Sequence, residues 1–201
     1  PVDMLINRGY KNIIVIRIFG IGIEKKLKVP KDVNIIEIAP RVDLGNLLEF
    51  TNRKSRRNIM IGYFDGLRCL RGLTGRIYYI QSREKEEYYL EQLIYINKEA
   101  KTALFEWYKL DSSEDFLSCR RLLEVIFPNI ASELKLDRKW TYKELYITML
   151  EVAAKKYKIP KYKVYTELEL LEAIREKYKN AKEEEKTYPN FIDLIIKTMI
   201  L

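Results

Sequence analysis

The stretch Asn12-Ile-Ile-Val-Ile-Arg-Ile18 sets the hardest constraint on this chain. Its apolar residues are consecutive, so a strand made from it presents hydrophobic side chains on both faces. Such a strand belongs inside a parallel sheet, where neighbours satisfy its N–H and C=O groups and other layers cover both faces. Asn34–Ile38 (NIIEI) reads as a second strand. A polar stretch joins the two and contains no hairpin turn, so they are expected to lie parallel as neighbours.

The rest of the first 81 residues fits the same class. Pro1–Arg8 reads as a helix stopped by Gly9, and EKKLKVPKD as a polar loop punctuated by Pro30. Gly20-Ile-Gly22 follows a strand, but the third fingerprint position is Lys25 and no helical period follows, so a plain turn is expected. Over 53–71 the spacing predicts a helix with Ile59, Tyr63, Leu67 and Leu70 as its apolar stripe, arginines opposite, and Asp65 as a surface carboxylate. RIYYIQ at 76–81 reads as another short strand.

From Ser82 onward every segment reads as helix, near 84–109, 113–127, 129–136, 142–157, 167–182 and 190–200, with Pro128, Pro160 and Pro189 interrupting continuity. Ser112…Asp115, Thr141…Glu144 and Thr166…Glu169 have capping-box spacing. The charge changes at the same place. Residues 1–82 hold 15 Lys and Arg against 7 Asp and Glu, and the remaining residues hold 22 of each. The expected fold is therefore an α/β part, 1–81, followed by an all-α part, 82–201, with more helix than strand.

Composition excludes several chemistries. The chain has no histidine, which removes Ser-His-Asp and Cys-His catalysis within it. Two cysteines far apart, Cys69 and Cys119, make no zinc site and read as reduced thiols. No cofactor or metal is expected. None of the six serines lies in a G-x-S-x-G elbow. No apolar run reaches the roughly 18 residues of a membrane span, and no signal-peptide pattern is present, so the expected location is cytoplasmic, peripheral at a membrane.

One cluster is a candidate for binding. Arg53, Lys54, Arg56 and Arg57 sit together at a helix start, with Arg68, Arg71 and Arg76 beyond them. They could meet an anionic membrane surface, or form a solvated face paired with Glu49 and Asp65. Nucleic acid is the least supported partner, because no recognised binding motif accompanies the charge. Cations at a helix N-terminus also oppose the macrodipole, which gives the cluster a mild local cost.

Residues 1–80 resemble the last part of the patatin-like phospholipase family. The resemblance is carried by PVDMLINRGYKNIIVIRIFGIGIEKK, by IAPRVDLGNLLEF with its Leu44-Gly45-Asn46-Leu47-Leu48-Glu49-Phe50 turn, and by RKSRRNIMIGYFDGLRCLRGL with RIYYI. It implies a three-layer α/β fold and a parent enzyme that cleaves lipid acyl esters with a Ser–Asp dyad and no histidine. In the family the Ser elbow, the oxyanion loop and the Asp motif all precede the position matched by Pro1-Val2-Asp3. No catalytic residue carries over, so this chain reads as an inactive C-terminal part whose helical half resembles the extension of some bacterial members. The resemblance implies contact with lipid through the parent enzyme, and an uncovered strand implies self-association through residues 1–40. A helical interaction module with a basic membrane- or partner-facing surface is the alternative.

Overall fold

The computed structural model describes residues 2–18, 29–45, 51–82, 84–111, 115–181 and 190–200. The chain forms two compact units, Pro1–Leu73 and Thr74–Leu201. Among the described residues it is mostly helical, with two small sheets of two parallel strands each.

In the first unit, helix α1 (Val2–Asn7) ends at Gly9, whose φ of 84° lies in the region glycine adopts most readily. Strands β1 (Asn12–Ile16) and β2 (Asn34–Ile38) pair in parallel, with Asn12 opposite Asn34 and Ile16 opposite Ile38. The pair is the parallel one that the sequence predicts. Helix α2 (Asn52–Arg71) packs on β2, and Cys69 Sγ donates to the Glu37 carbonyl at 3.5 Å. Along β1, burial alternates as the pleat requires: Ile13 is buried, whereas Ile14 is 58% and Ile16 74% exposed. The Gly20-Ile-Gly22 turn, most of the EKKLKVPKD loop, and Glu49 with the end of the Leu44–Phe50 turn lie outside the described residues.

The second unit has its own core. Strand β3 (Tyr79–Gln81) pairs in parallel with β4 (Val164–Thr166), Ile80 opposite Tyr165. The strand read at the end of the α/β part therefore belongs to the helical unit. β4 corrects the all-helix reading of residues 82–201; three residues are too few to show a period. Around the pair lie α3 (Glu86–Ile94), α4 (Lys98–Trp107), α5 (Asp115–Arg121), α6 (Phe127–Glu133), α7 (Tyr142–Lys156), α8 (Glu167–Asn180) and α9 (Phe191–Ile200). α7 is the hub, packed against α3, α6, α8 and α9.

Two helical expectations are corrected. The helix expected over 84–109 is two, because the Asn97 side chain accepts from Ala100 N at 2.7 Å and restarts the helix. Tyr95, at that break, is exposed. Conversely, Pro128 does not separate two helices. The π-helical turn Leu122–Ile126 joins α5 to α6, and the wider turn accommodates the residue that cannot donate a backbone hydrogen bond. The capping boxes at Thr141/Glu144 and Thr166/Glu169 both form; the one proposed at Ser112 lies outside the described residues.

Candidate functional site

Helix α2 contains no proline, and its Arg, Lys, Leu and Met residues are good helix formers, which offset the interior Gly62 and Gly66. Thr51 caps its start by accepting from Lys54 N at 3.4 Å. Gly72, at φ 63°, closes its end, and Arg68 and Arg71 in the last turn complement the helix dipole. Three of the four residues of the stripe expected to face inward do the opposite, and Leu67 is half-buried. Ile59 is 69%, Tyr63 61% and Leu70 63% exposed, while Ile61, Phe64, Asp65 and Arg68 are buried. The reason is that Asp65 and Arg68 neutralise each other one turn apart, Nη1 to Oδ1 at 2.8 Å, so this pair can share a buried face with Ile61 and Phe64. Asp65 is thus a buried ion-pair partner and not a surface carboxylate.

This orientation divides the basic cluster. Arg56 precedes Ile59 and Tyr63 on the outer face, with Arg53 at its edge, both exposed. Lys54 and Arg57 lie on the side that leads to Ile61. There the Arg57 guanidinium donates to the Asp43 carbonyl from Nη1 at 3.3 Å and Nη2 at 3.4 Å, tying the helix start to the preceding loop. The four residues are therefore not one surface. Asp65 is the only acid in the helix sequence, so the exposed side of α2 carries cations without a carboxylate of its own helix.

Buried polar groups in the second unit escaped the sequence reading. Glu151, in the middle of α7, is buried and its carboxylate accepts from Arg76 N at 3.0 Å, Ile77 N at 2.7 Å and Tyr78 N at 2.7 Å. Gly75, at φ 91°, makes the approach possible, since a Cβ there would stand 2.6 Å from the carboxylate. Elsewhere the Tyr89 hydroxyl donates to Glu167 and shares a short hydrogen bond with Ser82. Burial, and then the bond to Glu167, hold the Tyr89 phenol above its ordinary pKa. Nothing short-range in the sequence marks either carboxylate's role, because Glu151 and Glu167 each lie more than 70 residues from the groups that donate to them.

Among the described residues no group of His, Cys, Asp and Glu could hold a metal ion, and no helix is long and apolar enough to cross a membrane. Cys69 and Cys119 are free thiols. No family model matches the chain, and neither the curated proteins nor the solved structures provide a match.

Proposed function

We propose that this chain is the C-terminal part of a patatin-like lipid acyl hydrolase, that it holds none of the catalytic residues, and that the enzyme meets a lipid surface through the basic unit. One observation carries the reading beside the sequence resemblance. β1 and β2 are parallel, yet Ile14 and Ile16 stand 58% and 74% exposed on the face opposite Ile13. Parallel sheets are covered on both faces, so these residues ask for a further layer, as a three-layer α/β hydrolase has. The test is the coding sequence upstream of Pro1. A D-G-G or D-G-A motif just before it and a G-x-S-x-G elbow further upstream are expected, and their absence would sink the proposal. The chain itself should hydrolyse p-nitrophenyl esters no faster than buffer; hydrolysis abolished by replacing one of its own serines would overturn the assignment of catalysis to the parent.

A second reading, a helical interaction module, is favoured by the self-contained core of residues 74–201 and by a groove of about 600 Å³ lined by Ile94, Tyr95, Ile96, Lys98, Lys101 and Cys119. It stands in place of the first if the upstream motifs are missing.

A further inference from the structure

We infer that the outward face of α2 docks flat on an anionic lipid bilayer, with Ile59, Tyr63 and Leu70 entering the headgroup region and Arg53 and Arg56 holding lipid phosphates beside them. The inference deepens the lipid-hydrolase reading by naming the docking surface, and it rests on that reading only for its biological purpose. Its physical grounds are the helix itself.

Ile59, Tyr63 and Leu70 recur at i, i+4 and i+11, one face of an α-helix, and all three are more than 60% exposed. Gly62 and Gly66 add no side chain between them, and a Cβ built on either would meet nothing within 4 Å, so the face is open. An apolar stripe bordered by arginine, without an acid on the same face, is the pattern of a helix that lies in the plane of a membrane interface. Arginine can lay its methylenes along apolar surface while its guanidinium reaches phosphate. Tyrosine suits the headgroup level, with an apolar ring and a polar hydroxyl.

Charge decides among the occupants. A second copy brought face to face would oppose two faces that carry cations and no acid of their own helix, and like charges brought close are repulsive. A nucleic acid would satisfy the arginines but would leave Ile59 and Leu70 against a polar backbone, with Tyr63 the lone aromatic for stacking. An anionic bilayer complements both parts of the face.

The test is co-sedimentation of the full chain with vesicles of phosphatidylglycerol and phosphatidylcholine, and with phosphatidylcholine alone, at low and high salt. Binding should require the anionic lipid and weaken with salt. The triple replacement Ile59→Ser, Tyr63→Ser, Leu70→Ser and the double replacement Arg53→Glu, Arg56→Glu should each lower partitioning at least about tenfold. Ile14→Ser with Ile16→Ser, a removal of exposed apolar surface elsewhere in the same unit, should change it less than about twofold. Tyr63→Trp should gain fluorescence quenching by brominated lipid beyond that of Trp107 and Trp140, a readout that needs no destabilising change. Equal binding to neutral vesicles, indifference to the triple replacement, or no added quenching would overturn the inference. So would binding of an oligonucleotide in place of vesicles, or a homodimer abolished by the triple replacement while the chain leaves vesicles alone. Missing upstream hydrolase motifs with the vesicle results intact would remove the enzyme reading and leave the docking face; the reverse pattern would do the opposite.

Discussion

The two units use similar residues to different ends. In Thr74–Leu201 the apolar side chains converge: Tyr78, Phe105, Phe127, Leu145, Leu150 and Ile195 are buried in one continuous cluster, with α7 at its centre. In Pro1–Leu73 the buried apolar residues among those described are Ile13, Ile61, Phe64 and Leu73, while Met4, Tyr10, Ile14, Ile16, Ile59, Tyr63 and Leu70 are exposed. Hydrophobic content alone therefore says little about a core. What separates the units is whether each apolar face has another layer to meet.

The largest effect should come from cutting the converged core. Leu150→Ala removes a fully buried side chain from α7 and should cost about 2–5 kcal/mol. Ile16→Ala in the first unit removes an exposed side chain and should cost under about 1 kcal/mol. Both tryptophans, Trp107 and Trp140, belong to the second unit, so urea unfolding followed by their fluorescence reads that unit directly. Amide hydrogen exchange in β1 reads the other. Equal losses at the two sites would erase the contrast, and would mean that Ile16 packs against something in solution, which fits the expected self-association through residues 1–40.

A second, smaller loss tests the polar joint of that core. Glu151→Gln keeps the shape of the side chain but replaces one accepting oxygen by an NH2 group facing backbone N–H donors. It should cost about 1–3 kcal/mol by the same fluorescence measurement. Gly75→Ala attacks the joint from the other side, through a positive φ and a Cβ 2.6 Å from both the carboxylate and the Tyr78 carbonyl, and should fall in the same range. If both variants unfold like the parent chain, the carboxylate nest is not part of what holds the second unit together.

Much of this contrast was legible in the sequence and some was not, for physical reasons. β1 and β2 were readable because consecutive Ile and Val residues have one natural home, a parallel sheet. α7 and α8 were readable from the Thr141/Glu144 and Thr166/Glu169 boxes, which are local devices: side chain and backbone partner lie three residues apart. The inward face of α2 was not. The helix has apolar residues on two faces, and the choice between them turned on Asp65 and Arg68 cancelling one another once buried, which a hydrophobic period does not register. The π turn at Leu122–Ile126 hides a proline that ordinarily ends a helix. Of the candidate site, the basic residues were visible as a cluster, but its division between an outer face with Arg56 and an inner tie from Arg57 to Asp43 needed the helix rotation.

Alkaline pH should act on the second unit before the first. Burial raises Tyr78 to about 12, assisted by Tyr165 and Glu151, and burial likewise raises Tyr146 to about 12, assisted by Tyr88 and Glu167. In the unfolded chain such phenols ionise near 10. The folded state thus keeps protons that the unfolded state loses, so the stabilisation is complete below pH 10 and disappears as pH rises toward 12. Trp fluorescence should report unfolding of residues 74–201 in that window, with phenolate absorbance rising in step. Phenolate absorbance at its full value by pH 10.5, without unfolding, would show these rings to be in contact with water.

The smallest effect addresses the start of α2, where the first unit departs from the capping habit of the second. Thr51 caps the helix, but position N3 holds Lys54 where Thr141 and Thr166 have glutamates, and Arg53 adds another cation to the positive end of the dipole. Arg53 is exposed and near the edge of the outer face, so exchanging it for an acid reverses an unfavourable interaction without opening a cavity. Arg53→Glu should stabilise α2 by about 0.3–1 kcal/mol, seen as roughly two- to fivefold slower amide exchange in its first turns. The same replacement should weaken binding to anionic vesicles. Local stability and surface binding would then pull in opposite directions at one residue, which gives the cation a use that offsets its cost. If Arg53→Glu slows exchange and leaves vesicle binding unchanged, the cation has no such use, and Arg56 alone carries the charge of the docking face.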